Sequence, residues 1–300
     1  MTTARIALFL CAALSVGHAC GAGLRVEDGE PARARCASTF AQPEPPPNSM
    51  HRLPGSDAVQ GTRDIAWLWF GSATDRYGHA ALGNRVHGGS LHAVLRAEQR
   101  ELALTLPADT VIEDRLPRLA DLDGDGRDEA VVVESDLERG AALVVYGVEG
   151  AGNDTRWVER ARSEHMGGMR WLNPVGVADF DGDGRLEIAA VATPHIGGVL
   201  TLYRYAPPRL VAIGRMQGVS NHRMGSPEQR LSAVVRGAAG PVVVVPDQRF
   251  ARLLLVRWTA ARGWHHAAPA VNLASAVERV VASDEAACVQ LRDGAWLRMH

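Results

Sequence analysis

Two short stretches of this chain concentrate carboxylates at a spacing that suits a hard cation. One runs Asp121-Leu122-Asp123-Gly124-Asp125-Gly126-Arg127-Asp128-Glu129, the other Asp179-Phe180-Asp181-Gly182-Asp183-Gly184-Arg185-Leu186-Glu187. In this pattern the first, third and fifth positions put Asp carboxylates around one point. The seventh offers a backbone carbonyl and the ninth a further carboxylate, while glycine at the sixth permits the sharp turn. So many carboxylates in so short a loop repel one another unless a cation lies among them. Oxygen donors in a flexible loop suit Ca²⁺ better than Mg²⁺, and a set without His or Cys does not suit zinc. The expected ligands are Asp121, Asp123, Asp125, the Arg127 carbonyl and Glu129 in one loop. Asp179, Asp181, Asp183, the Arg185 carbonyl and Glu187 are expected in the other. An EF-hand is excluded, because its twelfth position needs a bidentate Glu followed by a helix. Here that position is Val132 or Ala190, inside strand-like runs.

The elements that hold such loops are read from their flanks. The two segments match almost residue for residue, Ala120 aligning with Ala178, and internal repetition of this kind marks an array of similar units. After Glu129 come AVVVES, AALVVYGV and WVERARS; after Glu187 come IAAVAT, VLTLYRY and LVAIGRM. These are short β-rich runs punctuated by Gly and Pro. Two further copies lack the acidic loop. RLSAVVRG, PVVVVPD, ARLLLVRWT and WHHAAPA form one, and HAALGN, SLHAVLR, ELALTL and TVIEDR the other. The C-terminal VERVVAS, ACVQLRD and AWLRM supply three strands, and DIAWLWF (Asp64–Phe70) is the candidate fourth. The expected fold is all-β, a propeller of five four-stranded blades over residues 63–300, with an N-terminal strand joining the last blade and removing exposed edges. No helix is expected in that span.

With VGVADFDGDGRLEIAAVA and LADLDGDGRDEAVVVES in place, the chain resembles the FG-GAP/VCBS repeat family, the calcium-loop repeats of integrin α-chain propellers and of many secreted bacterial proteins. The resemblance is specific in those two segments and looser over most of 63–300. It implies a β-propeller with calcium in the hairpin between the first two strands of a blade. Two departures stand out: five blades against seven in integrins, and Arg236-Gly237-Ala238-Ala239-Gly240 where a further acidic loop would fall, so that copy should bind no metal. The family is functionally diverse, so the resemblance bears on fold more than on activity.

If the acidic hairpins lie at one end, the other end collects a different composition: Glu164–Pro174, Thr193–Gly198, Gly218–Pro227 and Pro246–Ala251. That places Arg170, Trp171, Asn173, His195, Asn221, His222 and Arg223, with Asp247 and Arg249, around one mouth of a central channel. Trp171 could stack on a sugar ring, and Arg170 and Arg223 could fork onto an anion. Each could equally stabilise its own loop. The expected function is a binding module for a carbohydrate, peptide or protein partner through this face. A hydrolase or lyase acting on an anionic or sugar substrate through His195, His222 and Arg223 is the alternative, and a structural subunit of a cell-envelope complex is a third reading. No Gly-x-Ser-x-Gly, His-Glu-x-x-His or Cys-centred motif is present, and no carboxylate pair outside the acidic loops suits glycoside hydrolysis. The adjacent His265 and His266 would point to opposite faces of a strand.

Composition narrows the chemistry. The 32 cationic residues are all arginine, against 34 Asp plus Glu, for a formal net charge of −2. Absence of lysine excludes a Schiff-base lysine, a pyridoxal-phosphate anchor and a Walker phosphate loop. The near-zero balance speaks against nucleic acid or anionic membrane as a bulk partner, and a monomer is expected. At the N-terminus, Arg5, the apolar Ile6–Val16 and the small Gly17, Ala19, Gly21 and Ala22 read as a signal peptide over 1–22, too short to span a bilayer. Cys20 is a candidate lipid anchor, although His18 departs from a lipobox. Export to the periplasm or the exterior leaves Cys36 and Cys288 as a candidate disulfide, with two free thiols the other reading. Residues 23–62, with QPEPPPN at Gln42–Asn48, are expected to be a linker.

Overall fold

The computed structural model describes residues 25–36, 51–283 and 286–300. The expected signal peptide, the Cys20 anchor and the proline run at 42–48 lie outside them.

The described chain is all-β apart from one helix, α1 (Gly29–Cys36), and a three-residue 3₁₀ turn at Gly152–Asp154. The strands fall into antiparallel four-strand runs. The first comprises β2 (Ala58–Gln60), β3 (Ile65–Thr74), β4 (His87–Leu95) and β5 (Arg100–Thr105). After β6 (Thr110–Ile112), the second comprises β7 (Arg118–Ala120), β8 (Glu129–Asp136), β9 (Gly140–Glu149) and β10 (Arg156–Arg162). The third is β11 (Leu172–Ala178), β12 (Glu187–Ala192), β13 (Val199–Ala206) and β14 (Arg209–Gln217). The fourth is β15 (Ala233–Gly237), β16 (Gly240–Pro246), β17 (Arg252–Thr259) and β18 (Gly263–Asn272). In the last, β19 (Val277–Ala282), β20 (Ala287–Leu291) and β21 (Trp296–Met299) are joined by β1 (Val26–Asp28). Narrow pairings tie the first three runs into one sheet: β6 with β4 and β8, and Arg162 of β10 with Arg209 of β14.

Strand periodicity explains how the runs stack. In β8, Ala130 and Val132 face a core shared with the first run, including Phe70 and Leu91, while Val131 and Val133 face one shared with the third, including Leu172 and Ile188. Alternate residues point to opposite faces, so a run buried on both faces reads as a continuous apolar string rather than an alternation. In β12, Ile188 and Ala190 face back to the second run, and Ala189 and Val191 forward to the fourth. In β16, Val243 and Val245 face the third run, and Val242 and Val244 the fifth. Four cores therefore link the five runs in sequence order. Among the described residues none of the four joins the fifth run to the first.

The structure corrects three strand expectations. Asp64–Phe70 does not complete the last run. Its ten-residue strand β3 is sandwiched between β2 and β4, and Ile65, Leu68 and Phe70 are buried in the first core. The last run is completed by Val26–Asp28, inside the stretch read as linker, as β1 on β21. Only three residues long, two of them charged, this edge strand has no sequence periodicity; α1 follows it, and Cys36 is joined by a disulfide to buried Cys288. HAALGN (79–84) is loop rather than strand, leaving its histidine free for another role. No helix of the described residues is long and apolar enough to cross a membrane, and the Cys36–Cys288 disulfide is consistent with an exported chain.

Candidate functional site

The acidic loops connect β7 to β8 and β11 to β12, where each strand pair ends and the backbone must reverse. Gly124 and Gly126 have φ of +78° and +87°, Gly182 and Gly184 +79° and +86°, the left-handed region open to glycine. Asp121 pins the first loop by accepting the Gly124 and Gly126 amides at 2.7 and 3.1 Å. Asp179 does the same for Gly182 and Gly184 at 2.7 and 3.0 Å. Each loop is thus wound around its first carboxylate.

This winding gathers Asp121, Asp123 and Glu129 so that one carboxylate oxygen from each lies within 4.8 Å of the others; Asp179, Asp181 and Glu187 form the matching group. Asp125 and Asp183 lie outside those groups and accept the Arg127 and Arg185 amides at 2.8 Å. Glu129 and Glu187 are buried, and each accepts one backbone amide, from Leu122 at 2.8 Å and from Phe180 at 3.0 Å. Burial, reinforced by the neighbouring aspartates, pushes both carboxyls up to about 7. Glu187 Oε1 is buried with no hydrogen-bond partner. An orphaned carboxylate oxygen beside two further carboxylates is the feature a hard divalent cation would satisfy. The residues present fit calcium: Asp121, Asp123 and Glu129 would hold one ion, and Asp179, Asp181 and Glu187 another.

Arginines also serve these loops, and sequence reading missed them. Arg63 pairs with Asp121 at 3.1 Å. Arg204 pairs with Asp181, and its Nε lies 3.8 Å from Glu187. Asp64 accepts Arg127 Nε at 3.0 Å and the Asp128 amide at 2.7 Å. Arg63 and Asp64 sit a whole run before the first loop, on the equivalent connection between β2 and β3, and Arg204 lies a strand beyond the second, so no local pattern announces them.

The seven residues expected at the opposite mouth divide in two. Trp171, His195 and His222 are brought together. His195 stacks on Trp171 with ring centroids 6.0 Å apart, and His222 meets Trp171 edge-on at 4.8 Å. Trp171 is 2% exposed and donates to the Glu113 carbonyl at 2.8 Å, so it is a packed part of the site rather than an open platform. Asn173 and Asn221 are fully buried and brace the loops reciprocally, each side-chain amide donating to the other's carbonyl at 3.1 Å. Arg223 lies 4.3 Å over the Phe250 ring with a buried, unpartnered Nη2, and burial lowers its pKa. Arg170 and Arg249 are exposed, and Asp247 pairs with Arg252 at 3.0 Å.

Partner chemistry settles the protons. His222 Nε2 lies 2.8 Å from the Ser226 carbonyl, which only accepts, so Nε2 carries hydrogen and Nδ1 is a lone pair. His195 Nε2, 2.8 Å from that Nδ1, must donate, which leaves His195 Nδ1 as a free acceptor. Burial holds His195 at about 4 and His222 at about 3, helped for His195 by His79 and for His222 by His195. Sequence reading missed a second pair beside this one. His79 Nδ1 lies 2.6 Å from Glu113 Oε1, and Ser135 donates to the other oxygen at 2.6 Å. Buried His87 reaches the His79 carbonyl at 3.0 Å, and Tyr77, pushed up to about 12 by burial and Glu113, packs against both histidines. His79 belonged to the segment read as a strand, and Glu113 to TVIEDR. Glu113 opens a charged triplet with Asp114 and Arg115, and only the fold buries it.

Comparison with known proteins agrees with the loop-bearing segment. Residues 118–190 match the family model described as FG-GAP-like repeat, as the two acidic segments implied. No curated protein matches the chain. Among solved structures, BamB from Moraxella catarrhalis is similar at 13% identity and a TM-score of 0.38, covering 81% of this chain and 68% of that one.

Proposed function

We propose, starting from the FG-GAP-like repeat at residues 118–190, that the protein is an exported, calcium-braced β-propeller whose five four-strand runs are its blades, and that it binds a partner through the face opposite the acidic hairpins. Successive cores between consecutive runs support the blade reading, because one blade cannot bury both its faces alone. The binding reading rests on one observation. Of the five exposed large hydrophobic side chains among the described residues, Leu137, Met169, Ile196 and Met224 lie on the β8–β9, β10–β11, β12–β13 and β14–β15 connections. By strand direction these connections are at the end opposite the acidic loops. Apolar side chains gathered at one end suit a protein or peptide partner, and methionines adapt to irregular surfaces. The test is site-specific photocrosslinking in the exporting cell, with the crosslinker at Ile196 or Met224 and, as control, at exposed Arg185 on an acidic hairpin. Adducts confined to the loop face support the reading; equal labelling at all sites, or none at the loop face, sinks it.

A second reading, a hydrolase or lyase, is favoured by the neutral His195 with its free Nδ1 beside the His79–Glu113 pair, an arrangement able to accept a proton. Turnover of a sugar or anionic ester that disappears in His195→Ala while folding is kept would support it. An unchanged rate in that variant would remove it.

A further inference from the structure

The outer strands β10 and β14 of the second and third runs meet at one end and then part. They run parallel and pair only at Arg162 and Arg209. Beyond Arg162 the chain turns inward. The Ser163 amide donates to the Leu143 carbonyl at 2.9 Å and the Met166 amide to the Ala141 carbonyl at 2.8 Å. β14 continues without a neighbour on that side, so among the described residues no strand pairs with its outer edge from Leu210 onward. The space left is a cleft of about 820 Å³, within the range of ligand sites.

The lining of the cleft carries a charge and an apolar patch. Arg209 and Arg215 are exposed at its two ends and make no ion pair among the described residues, while Arg162 is held by Glu134 and Glu159 at 2.8 and 2.7 Å. The acidic group on the wall is Glu164; opposite in sign to it are three arginines. His165 also lines the cleft, its Nδ1 at 3.0 Å from the Gly140 carbonyl and its Nε2 buried without a partner. In sequence between these two arginines is Val211, 45% exposed, the fifth exposed large hydrophobic among the described residues. An open strand edge is a template for an added strand, and here the edge is flanked by uncompensated positive charge.

From this we infer that the β10–β14 cleft is a docking groove for an extended acidic peptide of a partner protein, which adds as a strand to the free edge of β14, with carboxylates reaching Arg209 and Arg215. Main-chain hydrogen bonds supply the attachment and the arginines the selectivity. The groove is centred on the outer edge of β14 and only its rim, Ser163–Met166, belongs to the β10–β11 connection that carries Met169; its test reads the β14 edge itself, so the two readings can fail separately.

The experiment uses the full exported chain in calcium and a short fluorescein-labelled peptide alternating glutamate and valine, read by anisotropy. Saturable binding that weakens as salt rises is expected, together with slowed amide exchange over 210–215. An Arg209→Glu/Arg215→Glu variant, whose altered side chains are exposed and whose melting temperature is checked, should bind at least about tenfold more weakly. N-methylation of alternate peptide amides should cost a similar factor. Equal affinity for a lysine–valine peptide, an unaltered affinity in the double variant, or exchange unchanged at 210–215 would each overturn the inference, as would no saturable binding. A concentration-dependent dimer that protects 210–215 by itself would assign the edge to a second copy and likewise overturn it.

Discussion

Glu187 has an oxygen with nothing to bond to, in a loop that also holds Asp179 and Asp181. A carboxylate is tolerated there because Arg204 compensates part of the charge and because the carboxyl, raised to about 7, can hold a proton. Calcium would supply the missing compensation through all three side chains. We therefore expect calcium to raise the melting temperature of the wild-type chain, and Asp123→Ala and Asp181→Ala each to remove part of that rise. The scale is about 2–4 °C per kcal/mol of linkage in a domain of this size. Differential scanning fluorimetry with calcium and with a chelator reads it, and a calcium shift as large in both variants as in wild type would rule out metal bracing. The histidine pair gives a pH prediction. Both imidazoles titrate below their ordinary value of about 6.5, near 4 for His195 and 3 for His222. As pH falls below about 6.5 the unfolded chain takes up protons that the folded chain refuses, so stability declines from there towards pH 4. Urea titrations at stepped pH in saturating calcium should show the decline in wild type and a shallower one in His222→Gln.

At the level of elements, the least predictable strand is the one that finishes the last run. Val26–Asp28 is three residues long and belongs to a stretch whose composition reads as linker. It is held by the β21 register, by a 2.7 Å bond from the Arg25 amide to the His300 carbonyl, and by the disulfide, whose cysteines are 252 residues apart. A crosslink closing so long a loop removes much freedom from the unfolded chain, though the measured dependence on loop length is weak. Cys36→Ser/Cys288→Ser is expected to cost about 2–5 kcal/mol. Amide exchange should accelerate first in β1 and β21, and uniform acceleration across all runs would show that the bridge acts globally instead. β8, β9, β12 and β16 stand at the other extreme. Their valine- and alanine-rich strings are legible because both faces are buried and length alone separates them from helix.

Across the whole molecule, stability passes through interfaces between consecutive runs. Leu202 on β13 is fully buried in the core shared by the third and fourth runs. Leu202→Ala is expected to destabilise the chain by about 2–5 kcal/mol. If the runs unfold as one unit, far-ultraviolet circular dichroism and tryptophan fluorescence will report coincident urea transitions in wild type and variant alike. Separated transitions would mean that the runs melt as a chain of neighbours.

The acidic loops, the short strands around them and the Cys36–Cys288 pair could be read from the residues, because each depends on spacing along the chain or on a count of cysteines. A carboxylate at every second position is a local fact, and so is a valine run. The pairing of His79 with Glu113, the compensation of Asp121 by Arg63, the burial of Trp171 under His195 and the choice of Val26–Asp28 over Asp64–Phe70 belong to the folded chain. Each joins residues from different runs or different strands. Which distant groups meet depends on how whole sheets stack and stagger, and that stacking is driven by non-directional apolar burial, which names no individual partner in advance.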